Sequence, residues 1–379
     1  MHLCFLSDVE KMWNKNFNLL LIANFFLYTA VYMLFPALHH WMVSEGGYTG
    51  FQAGGAIDIF GASLFLLGAF NNYLVDTFKR KNVCTRSLLL LALLGLLYPY
   101  AGEWGMIFLL RVLQGALFGV VLMAMGSTLV IDVTPSQYRN KASVVFTWSG
   151  VLGMLCGILL GYNAGWYLSF LFVGLCALPV VLVSMVEVCF RAPLDLPLLS
   201  FDRFLLFRTL IPGLNMMVVP FILGVLFSSI FDTFFYICII AGFIVFLLLD
   251  RVVRKQVNGR LLNGVGLVLM CVAVWLLGCS TEKGMLMGAG FLTGLGMGFS
   301  LLQFLRMMIR LPLHCERGTG YHTYQLLWES GVMLGVFFGK YTEDSSGQQF
   351  RAASLILLAG LLIYQAVVHG YFMKRMKNR

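Results

Sequence analysis

The chain has 379 residues, of which 60% are Ala, Val, Ile, Leu, Met, Phe, Trp, Tyr or Cys and only 11% are charged, with a mean hydropathy of +0.86. Soluble domains run at about 45–50% apolar and about 25% charged, so a water-soluble enzyme of one to three domains is excluded, and twelve spans of about 20 residues would leave only short connections. The formal net charge of +9 in such a chain reports membrane orientation rather than nucleic-acid binding.

Met1 to Asn16 is mixed polar, and no small-residue cleavage site follows the first apolar run, so this is not a removable signal peptide. Apolar runs between charge clusters then predict spans near 17–38, 51–75, 87–101, 104–131, 142–161, 167–186, 209–228, 231–249, 261–279, 285–308, 320–340 and 352–373. At this length, satisfying the backbone in lipid calls for helices. The first span carries Asn24, Tyr28 and Tyr32 every four residues, a polar and aromatic face through mid-membrane. Asp58 lies 18 residues before Asp76, about 27 Å at helical rise, and Arg111 lies 21 residues before Asp132, about 31 Å, so the two reach similar heights and are expected to form a structural ion pair or a proton-linked gate. Asn215 in the seventh span is a weaker counterpart of the first-span face. In the eleventh span His322, Gln325 and Glu329 follow i, i+3, i+7. Glu329 sits about 15 Å into the membrane by its distance from Thr319.

The nine cysteines are scattered without C-x-x-C pairs and read as core fillers; neither a metal site nor a cofactor is expected. With both termini on one side, 21 of the 26 Lys and Arg residues fall on that side and only Lys283, Lys340 and Arg351 in the opposite loops. The positive-inside rule then makes both termini cytoplasmic.

An internal repeat organises the whole. Asp76-Thr-Phe-Lys-Arg80-Lys81 and Asp250-Arg-Val-Val-Arg254-Lys255 are both D-x-x-x-R-K, 174 residues apart, and Asp58 and Asp232 keep the same offset. Gly115 and Gly119 match Gly294 and Gly298 at 179, and the ladder Gly153, Gly157, Gly161 matches Gly331, Gly335, Gly339 at 178. Because the offset covers six spans, the halves share one orientation. The expected fold is an all-α membrane protein of twelve transmembrane helices in two parallel six-helix repeats, with residues 1–186 as one bundle, 187–208 as a cytoplasmic linker and 209–379 as the second bundle. Such repeats place a substrate site near the midplane and move by rocking. The glycine ladders read first as close packing, with helices 5 and 11 expected where the two halves meet.

The run Asn72-Tyr-Leu74-Val-Asp76-Thr77-Phe-Lys79-Arg80-Lys81 resembles the signature G-x-L-x-D-R-x-G-R-K of the major facilitator superfamily, with its glycines and first arginine replaced. Arg111-Val-Leu-Gln114-Gly115 is similar to the family's R-x-x-Q-G pattern in helix 4, and the Gly-Pro step of the antiporter signature is missing from helix 5. The resemblance implies a twelve-helix transporter in which helix 1 lines the cavity, so that Asn24, Tyr28 and Tyr32, with Asn215 and Gln325, are candidate substrate contacts. It also implies that Asp76 meets the start of helix 11 and that Asp132 pairs with the signature loop. Asp76, Arg80, Lys81, Asp132, Asp250, Arg254 and Lys255 are thus candidate gating residues, and Glu329, Asp58 and Arg111 candidates for proton coupling.

The function expected is secondary active transport of a small solute by alternating access in the cell (inner) membrane, coupled to protons, with efflux favoured over uptake. Its partners are the small-molecule substrate, protons and membrane lipids, without nucleic acid, and the working unit is a monomer. An ATP-driven pump is disfavoured because no G-x-x-x-x-G-K-[ST] loop exists. A membrane-embedded lipid-modifying enzyme would need clustered acids or histidines, and neither H-E-x-x-H nor G-x-S-x-G occurs; a transport-like sensor is the remaining alternative.

Overall fold

The computed structural model describes residues 11–163, 167–188, 197–201, 204–256, 258–279, 282–313, 316–341 and 347–377, with backbone only for 251–256. Among the described residues, twelve helical spans succeed one another. They are α1 (Lys15–Ser44), α2 (Gly50–Thr77), α3 (Arg80–Tyr100), α4 (Trp104–Asp132), α5 (Ser136–Asn163) and α6 (Leu168–Ser184), then α7 (Phe207–Met216 with Val218–Ser229), α8 (Thr233–Gln256), α9 (Gly259–Cys279), α10 (Lys283–Arg310), α11 (Arg317–Tyr341) and α12 (Gln348–Lys377). Nine are long and apolar enough to cross a membrane, and the two pieces of α7 together make a tenth. Of the other two, α6 is apolar but 17 residues long, and α11, at 25 residues, carries the polar stripe. The chain is an all-helical multi-pass membrane protein.

Several spans depart from a regular helix. α2 is α-helical over Gly50–Ser63, opens, and closes through a 3₁₀ turn at Gly68–Phe70 before Asn71–Thr77. α4 widens into a π-helix over Met123–Leu129, and α12 does so over Tyr364–Val368. α7 bends by 42° at its break, where Pro220 lacks the N–H that would pair with the Met216 carbonyl. The two D-x-x-x-R-K runs differ. The first is a turn at the extended residues Phe78 and Lys79. The second, expected as a loop, lies inside α8, which continues to Gln256, because Val252 and Val253 offer no residue that breaks a helix.

The chain divides into two compact units, Met1–Leu206 with Pro312–Leu326, and Phe207–Leu311 with Leu327–Arg379. In the first unit the α5 ladder lies against the backbone of α1: a Cβ on Gly153, Gly157 or Gly161 would collide with the carbonyls of Phe25, Thr29 and Met33. Gly115 and Gly119 press α4 onto Phe60 and Leu64 of α2, and Gly95 seats α3 on Phe172 of α6. The second unit repeats this register. Gly331 and Gly335 of α11 meet the Met217 and Phe221 carbonyls of α7, and Gly290 and Gly294 of α10 meet those of Phe235 and Ile239 of α8. Gly278 of α9 faces Arg351 of α12. The ladders are therefore spent on close packing, as their spacing predicts. The pairing 1–5, 2–4 and 3–6 recurs as 7–11, 8–10 and 9–12, which is the parallel repeat in three dimensions.

Candidate functional site

The polar face of α1 ends in partners within the first unit. Asn24 is buried and donates from Nδ2 to the Phe146 carbonyl at 2.9 Å and to Ser149 Oγ at 3.0 Å, both on α5. Tyr28 and Tyr32 are buried and stacked, with centroids 6.0 Å apart, and Tyr32 stacks in turn on Phe35 at 4.8 Å. Phe35 meets Phe60, and Phe60 meets Phe118, at 6.3 and 5.6 Å. This aromatic column leads to Arg111, whose guanidinium carbon lies 4.4 Å from the Phe60 centroid.

Arg111 is fully buried, which is costly for a cation unless donors are used and an aromatic face lies against it. Its Nε donates to the Ala56 carbonyl at 3.3 Å and its Nη1 to Gln114 Oε1 at 3.2 Å, while the Tyr98 hydroxyl donates to the same oxygen at 2.7 Å. These hydrogen bonds run to neutral groups, and Asp58, the acid the sequence pairs with Arg111, lies close enough to act on it through its charge. Asp58 itself is half-buried two residues beyond Ala56.

The first half of α11 belongs to the first unit and brings His322 and Gln325 of the stripe into a polar cluster there. The His322 ring is fully buried, its Nε2 a long 3.5 Å from Asn71 Nδ2. With the amide as donor, the ring proton sits on Nδ1. The amide of Gln325 lies beside Gly126 in the π segment of α4, where any side chain on the glycine would displace it. The hydroxyls of Tyr321 and Thr147 are hydrogen-bonded at 2.9 Å. Glu329, on the same face one helical turn beyond Gln325, is fully buried. Asn71, Thr147, Tyr98 and the π segment are not among the residues the sequence singles out. Gln114 is legible only as part of the R-x-x-Q-G pattern.

In the second unit, Asn215 is buried and donates to the Gly360 carbonyl of α12 at 3.0 Å.

The signature turn builds a charged cluster. Arg80, in the first turn of α3, reaches both oxygens of Asp132 at the end of α4 and one oxygen of Asp76 at the end of α2. Two carboxylates on one guanidinium leave a net negative charge for this trio. The first turn of α11 lies close by, since a Cβ on Gly318 would fall 2.7 Å from the Ser127 carbonyl and 3.4 Å from Ile131, the neighbour of Asp132. Lys81 is half-buried beside the cluster. Asp250 is buried at the corresponding place in α8, and the side chains of Arg254 and Lys255 lie outside the described residues. Among the described residues, no three His, Cys, Asp or Glu side chains converge as a metal site.

A helical repeat of this kind, with buried charged side chains and a charged turn after the second helix, fits a membrane transporter. The family model of the Major Facilitator Superfamily matches residues 20–336, and the chain belongs to that family. Its fold is similar to that of the nucleoside transporter NupG, with a TM-score of 0.65 at 13% identity over 95% of this chain and 99% of that one. It is also similar to the human organic anion transporter MFSD10 (TETRAN), with a TM-score of 0.68 at 14% identity over 92% of this chain and 98% of that one. At such identities the likeness is one of fold. No curated protein matches the chain in sequence.

Proposed function

We propose that the chain moves a small solute across the cell membrane by alternating access and couples that movement to protons through Glu329, with both termini in the cytoplasm. The observation that carries the coupling is a fully buried carboxylate on the same helical face as His322 and Gln325, within a bundle of apolar helices. In low dielectric the neutral form of a carboxylate is favoured, and wetting favours the ionised one. A site that alternately dries and wets therefore takes up and releases a proton. Arg111, buried on α4 of the other unit, is the fixed cation of the same proposal, and Asp58 its nearest candidate acid on α2. Asn24, Tyr28, Tyr32, Asn215 and Gln325 are proposed as the substrate-facing set. Asn24 and Asn215 also donate their amide nitrogens to backbone carbonyls, which fixes these side chains against the neighbouring helices.

The Arg80 trio beside the first turn of α11 supports a cytoplasmic latch, its net negative charge matching the positive end of that helix. The deciding experiment is uptake and release of radiolabelled solutes by proteoliposomes, with and without a pH gradient of either sign. The proteins of similar fold are named for nucleosides and for organic anions, which makes these the first panel. Accumulation that follows the gradient supports coupling; export, the favoured direction, requires accumulation on the side that corresponds to the cell exterior.

A further inference from the structure

The end of the linker is pinned to the first unit at three points. The Ser200 N–H donates to the carbonyl of Ala69, inside the 3₁₀ turn of α2, at 2.9 Å. The Ser200 hydroxyl accepts from Asn72 Nδ2 at 3.4 Å. Phe204 is buried, its ring edge-on to Phe65 with centroids 5.9 Å apart. It fills the space over Gly68, where an added Cβ would run into the ring itself. Two residues on, the Leu206 N–H donates to Thr323 Oγ1 of α11 at 2.9 Å. Thr323 Oγ1 in turn donates to the Thr319 carbonyl at 2.8 Å, so the hydroxyl is fixed as an acceptor for the strap.

A connection whose only task is to span two bundles has no need of such contacts. Ordering it costs backbone entropy at every residue, and these residues recover that cost by bonding to a place where α2 has lost its regular helical pattern. Gly68 belongs to the same design, since its missing side chain is the seat of the Phe204 ring. From these four contacts we infer that Ser200, Phe204 and Leu206 form a strap, which ties the break in α2 to the first half of α11 and restrains these two helices from parting. What the parting accomplishes rests on the transport reading; the strap itself is readable without any substrate.

The test is hydrogen–deuterium exchange of the full chain in lipid nanodiscs, followed by mass spectrometry, because exchange reports the opening of individual segments. In the wild type the amides of Ser200 and Leu206 exchange at least tenfold more slowly than in a free peptide of residues 198–206. Phe204→Ala and Gly68→Ala, made separately, each speed that exchange tenfold or more, one by removing the ring and the other by displacing it. Both also raise exchange over residues 319–326. Adding Gly68→Ala to Phe204→Ala changes nothing further, since the ring the new methyl would strike is gone. Should Gly68→Ala fail to fold, Phe204→Leu replaces it and gives an intermediate increase. Free-peptide exchange in the wild type overturns the strap, and so does loosening of 198–206 with 319–326 unchanged. Absence of solute flux in proteoliposomes would count against the transport reading and leave the exchange result standing.

Discussion

Arg80 grips Asp132 across 52 residues of sequence, its Nη1 lying 2.8 and 2.7 Å from the two carboxylate oxygens. Its Nη2 turns back to Asp76 at 3.1 Å. One guanidinium thus ties the end of α2 to the end of α4 in the geometry that makes charge-assisted bonds strong. The side chains are 13% exposed for Arg80 and 16% for Asp132, so neither is fully screened by water.

Arg80→Ala therefore leaves two acids facing each other without their cation. The expected loss is about 2–4 kcal/mol of stability, toward the lower part of the range for broken buried pairs because of the residual exposure. Arg80→Lys keeps the charge and loses the fork, and falls between the two. Thermal unfolding in detergent checks the order. A double-mutant cycle with Asp132→Asn should return a coupling of more than about 1 kcal/mol; a coupling near zero would make the contact incidental.

Asp76→Asn removes the second carboxylate charge and keeps the shape. If the acid cluster latches the cytoplasmic side, crosslinking between cysteines placed at Thr77 and Arg317 falls while the protein remains folded. Unchanged crosslinking together with unchanged transport would reduce Asp76 to a topology determinant.

The glycine register separates packing from open surface. Gly335→Ala puts a methyl into the Phe221 carbonyl and the Gly224 backbone, whereas Gly174→Ala in α6 meets nothing within 4 Å. Overpacking costs about 1–3 kcal/mol, so Gly335→Ala should lower the melting temperature and the folded yield. Gly174→Ala should be neutral or slightly stabilising, since alanine is the better helix former by about 1 kcal/mol. Equal melting temperatures for the two variants would disprove the close approach of α11 and α7.

The span order and the repeat were legible because they rest on hydropathy and on residue offsets, both of which are properties of the chain itself. The Gly153 and Gly331 ladders announced close packing in the same way. Their partners were not legible, because nothing local says that Gly153 meets the Phe25 carbonyl. Asn24 illustrates the limit: its spacing with Tyr28 and Tyr32 shows a polar face, but no local signal names the Phe146 carbonyl, 122 residues away, that its amide meets. Asn215 is used similarly by Gly360. The break in α2 and the π segments of α4 and α12 lie within the hydrophobic spans, and their residues, Gly68, Gly126, Ser127 and Gln365 among them, also occur in regular helices and do not by themselves mark a change of hydrogen-bond register. They are set by what packs against them, as Gly126 and Gln325 show.

The orientation proposal is tested by tags. With 21 basic residues on one side against three in the opposite loops, a tag after Arg379 is expected in the cytoplasm and one between Glu343 and Asp344 outside. Labelling of the Arg379 tag from outside intact cells would reverse the arrangement.

Glu329→Gln is the decisive substitution for coupling. The amide matches the neutral carboxyl in size and stays uncharged when wetted, so the variant imitates a permanently protonated carrier. Buried as Glu329 is, an amide there costs little packing, and the melting temperature should stay close to that of the wild type. Accumulation driven by a pH gradient is then expected to be lost, while solute exchange between the two sides of the same vesicles continues, because exchange needs no net proton movement. His322→Ala, by contrast, removes the partner of Asn71 and should weaken exchange and driven flux alike. Full gradient-driven accumulation by Glu329→Gln would refute the assignment and move the proton site to Asp58 and Arg111, where Asp58→Asn is the corresponding test.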